Sequence, residues 1–221
     1  MAAKLALTGL VTTELLSLIV TWWAGPIDRA GGFTTSLGQL SRFSPVVFGA
    51  RDIAPAGYAA FGFVLGVTVG ALIRRTLPAM AVTLAVFVTV QLIMPNVVRP
   101  HLLPPVTATT AVNVSLSTAI VDHNGQVTVP VTGLSGAWIF SNQTITPAGH
   151  VFVLPGVPAC QTGTQQACDA WFATQHLRRQ ISYQPASRYW VFQWYETAIF
   201  LALALALAGF CVWQIRHRRL S

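Results

Sequence analysis

The chain has 221 residues, of which 53% are hydrophobic and 9% charged, with a net charge of +7. Soluble domains carry about 25% charged residues, so the composition excludes an ordinary soluble domain and points to one membrane domain plus one small extramembrane domain. The positive charge does not specify nucleic acid as a partner, because Lys4, Arg74, Arg75, Arg216, Arg218 and Arg219 all flank the ends of apolar runs, where topology determinants sit.

Four apolar segments, Leu5–Trp23, Ala56–Ile73, Leu77–Met94 and Thr197–Ile215, come close to the ~20 residues a helix needs to cross ~30 Å of hydrocarbon. The first occupies residues 1–24. It follows a single positive residue, Lys4, but has no small-residue cleavage site. A cut after Ala24 would put Trp22 where a small side chain is required, and Trp22-Trp23 suits an interfacial anchor, so a retained span is expected. Glu14 lies within it. An ionisable group at that depth is costly and faces a bundle interior or a cavity. It either belongs to a substrate path or, protonated, bonds a neighbouring helix, and the missing intramembrane partner charge favours the second reading.

Residues 25–55 form a loop, and residues 56–94 a helix pair. Gly62, Gly66 and Gly70 stand four apart in the second span and share one helix face, a small-residue stripe that lets another backbone approach closely. The stripe is expected to pack a helix, of this chain or of a second subunit. Arg74-Arg75-Thr76 joins the second and third spans with almost no loop, and Pro78 enters the third span in its first turn, where a missing N–H costs nothing. Gln91 is a second intramembrane polar residue, and Pro95 and Pro100 are expected to close this span.

Two arginines in so short a turn mark it as cytoplasmic. Alternation then places both termini inside the cell and residues 25–55 and 95–196 outside it. The tail Arg216-His217-Arg218-Arg219 agrees with this orientation.

Within the outside segment 95–196, residues 105–160 change character. They are rich in Thr, Val and Ser, and Asp122-His123-Asn124-Gly125 is a hairpin turn between Ile120-Val121 and Val127–Val131. A second strand pair is expected at Ala137–Thr146 and His150–Leu154, and a helix at Asp169–Gln180. Cys160 and Cys168, in a compartment where disulfides persist, are placed to bridge. With His176 they match no zinc spacing, so no metal site is expected. Four Trp and Tyr residues in Tyr189–Glu196 form an interfacial belt before the last span, and residues 197–221 complete the chain with that span and a basic tail.

The fold class expected is an all-α transmembrane bundle of about four spans with a small β-rich extracytoplasmic domain. There is no Gly-x4-Gly-Lys-Ser/Thr loop, no Gly-x-Ser-x-Gly elbow and no His-Glu-x2-His pair, and His101, His123, His150, His176 and His217 are scattered. Neither an enzyme nor a cofactor is expected.

Phe43-Ser-Pro-Val-Val-Phe48, Ile53-Ala-Pro-Ala-Gly-Tyr58, Arg74-Arg-Thr-Leu-Pro-Ala-Met80, Arg99-Pro-His101, Tyr183-Gln-Pro-Ala-Ser-Arg-Tyr-Trp190 and Phe192-Gln-Trp-Tyr-Glu196 resemble actinobacterial ABC transporter permeases, the membrane subunits of type-2 ABC exporters. The resemblance covers nearly all of the chain. It implies a plasma-membrane permease that works with a separate ATPase and pairs with a second permease subunit. Family members are longer at the N-terminus, with about six spans. This chain begins at what resembles their third, so the unmatched part of the family pattern would include the helix that docks on the ATPase, and either a late start at Met1 or a shortened paralogue is expected. Arg74 and Arg75 then act either as topology determinants or as an ATPase contact. The competing expectation is a non-transporting membrane anchor or accessory protein that presents residues 95–196 to a partner.

Overall fold

The computed structural model describes residues 2–29, 33–35, 38–40, 42–115, 117–156, 160 and 163–220. The chain divides into two compact units, residues 1–104 with 187–221, and residues 105–186.

The first unit is helical. Its long helices are α1 (Ala2–Arg29), α3 (Ala54–Ile73), α4 (Thr76–Ile93) and the last helix, Tyr189–Leu220. Between α1 and α3 lie a two-stranded ribbon, β1 (Phe33–Thr35) with β2 (Gly38–Leu40), and the short α2 (Pro45–Gly49). Among the described residues, four helices are long and apolar enough to cross a membrane. Several of their hydroxyls find partners within their own helix: Thr68 donates to the Val64 carbonyl and Thr83 to the Ala79 carbonyl, both at 2.8 Å. In hydrocarbon no water could satisfy them.

The third span does not stop at Pro95. Met94–Val98 is a π-helical turn and α5 (Arg99–Leu102) follows without a break, so that the span runs from Thr76 to Leu102. Pro95 has no N–H to give the α-ladder, and a π turn is where such a gap is absorbed. Its bond runs from the Arg99 N–H to the Met94 carbonyl. The inserted residue rotates the next turn by about 100° relative to a continued α-helix. The last helix also begins earlier than Thr197, at Tyr189. The boundary of the second unit therefore falls at residues 105 and 186, rather than 95 and 196.

α3 ends in a left-handed residue, Arg74 (φ 55°), whose N–H bonds the Gly70 carbonyl at 3.1 Å. Arg75 is extended, and α4 starts at Thr76. The start of the last helix crosses α3 at Gly57, where a Cβ would come within 3.2 Å of the Thr197 Cα. Phe200 then packs edge-on against Tyr58 and Phe61, with ring centroids 4.7 and 5.5 Å apart.

The second unit holds a three-stranded antiparallel sheet in the order β3 (Val106–Ala111), β7 (Arg178–Gln184), β6 (Trp138–Ile145). Val106 opposes Tyr183, and Trp138 opposes Gln184. The 122–125 turn joins β4 (Ile120–Val121) to β5 (Val127–Thr128). The Asp122 carboxylate accepts from the N–H groups of Asn124 and Gln126, and Gly125 takes φ 74°. Thr164 caps α6 (Gln165–Thr174) by accepting from the Ala167 N–H. The expected helix at 169–180 is thus displaced: residues 178–180 belong to the central strand, where pairing on both edges overrides their helical propensity. Val114, Val127, Val129, Phe152, Phe172 and Leu177 form the core around the fully buried Cys168. Cys168 is bonded to Cys160, with Cα atoms 4.7 Å apart. The last helix is hereafter α7.

Candidate functional site

The strongest concentration of buried polar chemistry lies where α2, α3, α5 and α7 meet. Arg99 is 1% exposed, and Glu196 and Gln193 are fully buried. The Arg99 guanidinium donates through Nε to Glu196 Oε2 at 2.8 Å and through Nη2 to Oε1 at 2.9 Å, a two-pronged ion pair. Its Nη1 donates to the Phe43 carbonyl at 3.2 Å, and its plane stands over the Phe48 ring at 3.8 Å. The Tyr58 hydroxyl donates to Glu196 Oε1. Glu196 thus accepts three hydrogen bonds, two on Oε1 and one on Oε2. It is a clasp between α5 and α7, locked by α3.

One helical turn earlier on α7, Gln193 extends the network. Its Oε1 accepts from the Ala54 N–H at 2.9 Å, one of the unpaired donors at the start of α3. Its Nε2 faces the carbonyls of Phe48 and Arg51 and the Tyr189 hydroxyl, at 3.0–3.4 Å. Tyr189 donates to Asp52 Oδ2 at 2.5 Å, and Arg42 stands over its ring. Asp52 ties the cluster to α1: its carbonyl accepts from Ser17 and its N–H donates to Thr21. Around the charges Phe43 packs edge-on against Tyr189 at 5.6 Å and Phe192 at 5.7 Å, Phe48 packs edge-on against Tyr189, and Phe43 stacks on Phe48. They exclude water and make the ion pair stronger than it would be on a surface. The π turn at Pro95 precedes Arg99 directly and sets the face on which it emerges.

The residues singled out from sequence lie elsewhere. Gly62 and Gly66 face α4, where an added Cβ would meet Phe87 at 3.3 Å and Thr83 at 3.8 Å. Gly70 faces open space. Gln91 lines a groove of about 370 Å³ together with Thr13, Tyr58, Gly62 and Phe87. Glu14 lies beside the Ala56 N–H in the first turn of α3, with its Oε1 buried and unpartnered among the described residues. Arg74 and Arg75 occupy the α3–α4 turn, at the end of α3 remote from the clasp.

Sequence reasoning left Arg99 and Glu196 in extramembrane segments and did not pair them. A signal was present. Five stretches that carried the family resemblance, around Phe43–Phe48, Ile53–Tyr58, Arg99–His101, Tyr183–Trp190 and Phe192–Glu196, each supply side chains to this one cluster. In addition, Glu196 is one of only six carboxylates in the chain, and it directly precedes an apolar run.

Residues 1–99 match a family model described as ABC-2 membrane transporter related. The match takes in α1 to α4 and ends at Arg99, so it includes one half of the ion pair and not the other. It supports an ABC-2-type permease, and with the four apolar helices it supports a multi-pass membrane protein. No curated protein and no solved structure matches the chain.

Proposed function

We propose that this chain is the membrane-spanning permease subunit of an ATP-driven exporter, working with a separate ATPase and paired with a second permease subunit. The observation that carries the reading is the ABC-2-related match over residues 1–99, which falls on helices built to cross a bilayer. In this reading both termini and the Arg74-Arg75 turn face the cytoplasm, and residues 105–186 form an extracytoplasmic domain. Their disulfide fits that placement, since such bonds persist in oxidising compartments. ATP hydrolysis resides in the partner, and this chain supplies the helices that rearrange.

The clasp gives the mechanism a rigid part. Arg99, Glu196, Tyr58 and Gln193 bind α3, α5 and α7 into one body at the end from which residues 105–186 depart. Arg188 donates to the Pro104 carbonyl at 2.7 Å and holds the two points of departure together. At the other end α3 and α7 leave a cavity of about 290 Å³ between them, so motion transmitted from an ATPase would be taken up there. The groove beside Gly62 and the open face at Gly70 offer a surface to the second subunit.

The test is a mild-detergent pull-down of the tagged full chain with an assay for bound ATPase activity. A P-loop ATPase recovered in stoichiometric amount supports the permease. A folded, membrane-extracted chain with no ATPase supports the accessory reading, in which residues 105–186, a unit with its own core, would be presented to another protein.

A further inference from the structure

A second cavity, of about 290 Å³, opens between α3 and α7 at the end of the bundle opposite the clasp. Its walls are Leu72, Phe210 and Ile215, and its polar groups are Thr68, Arg74 and Gln214. Thr68 already donates to the Val64 carbonyl, which leaves the Arg74 guanidinium and the Gln214 amide for a ligand. Arg74 has no ion-pair or hydrogen-bond partner for its side chain among the described residues.

The charge around this cavity is of one sign. Lys4, Arg74, Arg75, Arg216, Arg218 and Arg219 belong to this end of the helices by their sequence positions, and no acid accompanies them. Glu14 and Asp28 lie further along α1, Asp52 and Glu196 in the clasp, and Asp122 and Asp169 in the second unit. Arg74 also occupies a left-handed position, φ 55°, where glycine is the usual residue because it has no Cβ to crowd the carbonyl. Arginine is disfavoured there by the backbone, as any residue with a Cβ is.

An apolar slot between two spanning helices, with a guanidinium and an amide at its polar end, matches one chemistry. We infer that this cavity binds an anionic phospholipid, with the phosphate on Arg74, an ester or hydroxyl oxygen on Gln214, and the start of an acyl chain between Phe210 and Leu72. Basic pockets between transmembrane helices recognise lipid headgroups in this way. The inference needs only the bilayer and is independent of an ATPase partner.

Native mass spectrometry of the full chain, released from nanodiscs of mixed phosphatidylglycerol and phosphatidylcholine, tests it. One phosphatidylglycerol is expected to be retained per chain, with a preference of about fivefold over phosphatidylcholine, the worth of one basic residue near an anionic surface. Arg74→Gly should abolish the preference without harming the fold, since glycine relieves the left-handed turn, and Ala71→Phe, at a residue that also lines the cavity, should fill the slot and expel the lipid. Lys4→Gln removes a charge from the same end without touching the cavity and should leave the preference intact. Equal retention of both lipids overturns the inference. So does a Lys4→Gln loss as large as that of Arg74→Gly, which would mean diffuse attraction. Displacement by millimolar inorganic phosphate overturns the lipid assignment in favour of a free-anion site.

Discussion

At the residue scale the molecule turns on Arg99 and Glu196. Removing one partner of a buried, hydrogen-bonded ion pair strands the other and costs about 3–5 kcal/mol, whereas replacing both by apolar groups of similar volume is often close to neutral. Arg99→Met and Glu196→Met should therefore each lower the thermal unfolding midpoint of the purified chain markedly, and the double variant should recover most of the loss. Three equal midpoints would mean that the pair does not hold the helices. Tyr58→Phe removes one donor to the carboxylate and should cost about 1.5–3 kcal/mol, the worth of a hydrogen bond to a charged group. The residue types at this site were visible in the sequence, but their convergence was not. Arg99 and Glu196 are 97 positions apart, and nothing in either local stretch names its partner. The π turn that aims Arg99 hid behind a proline that reads as a helix end.

At the element scale, glycines that look equivalent in sequence have different neighbours. A Cβ at Gly57 would press on the Thr197 backbone, which cannot swing aside as a side chain can. Gly57→Val should cost about 1–3 kcal/mol by overpacking. A Cβ at Gly70 meets no atom within 4 Å, so Gly70→Ala should leave the midpoint unchanged to within about 0.5 kcal/mol. If Gly70 packs a second subunit, the same substitution lowers the dimer fraction in cross-linking while the midpoint stays put; an unaltered dimer fraction removes Gly70 from that interface. The spans were legible because long apolar runs admit only helices in a bilayer. Their ends were less so. α4 continues through Pro95 to Leu102, and α7 starts at Tyr189 within the aromatic belt, since helix ends answer to tertiary bonds as well as to composition. The first three residues of the central strand β7 were read as helix for the same reason: Arg178–Gln180 owes its conformation to pairing with β3 and β6, which local propensity does not report.

At the scale of the whole molecule, two units answer to two solvents. The helical unit exposes apolar side chains such as Leu201 and Leu205 that lipid would cover. Residues 105–186 instead carry a small aqueous-type core pinned by a disulfide. Closing a loop of that length contributes about 2.5 kcal/mol in the chain-entropy account. Reduction, or Cys160→Ser with Cys168→Ser, should speed proteolysis within residues 105–186 and leave the clasp-dependent midpoint in place. Simultaneous loss of both would mean that the chain unfolds as a single body. The division into a helical and a β-rich part was legible from the shift in composition near residue 105, while the sheet order β3-β7-β6 was not, because it depends on long-range pairing.

The central claim is that this chain is the membrane half of an ATP-driven transporter, and ATP hydrolysis in proteoliposomes tests it most directly. The full chain would be reconstituted with the ATPase it recovers from its own membrane, and hydrolysis compared with that of the ATPase alone. The account predicts faster hydrolysis with the chain present, and loss of that stimulation with Glu196→Met, which opens the rigid end of the bundle. Hydrolysis indifferent to the chain and to Glu196 would contradict it.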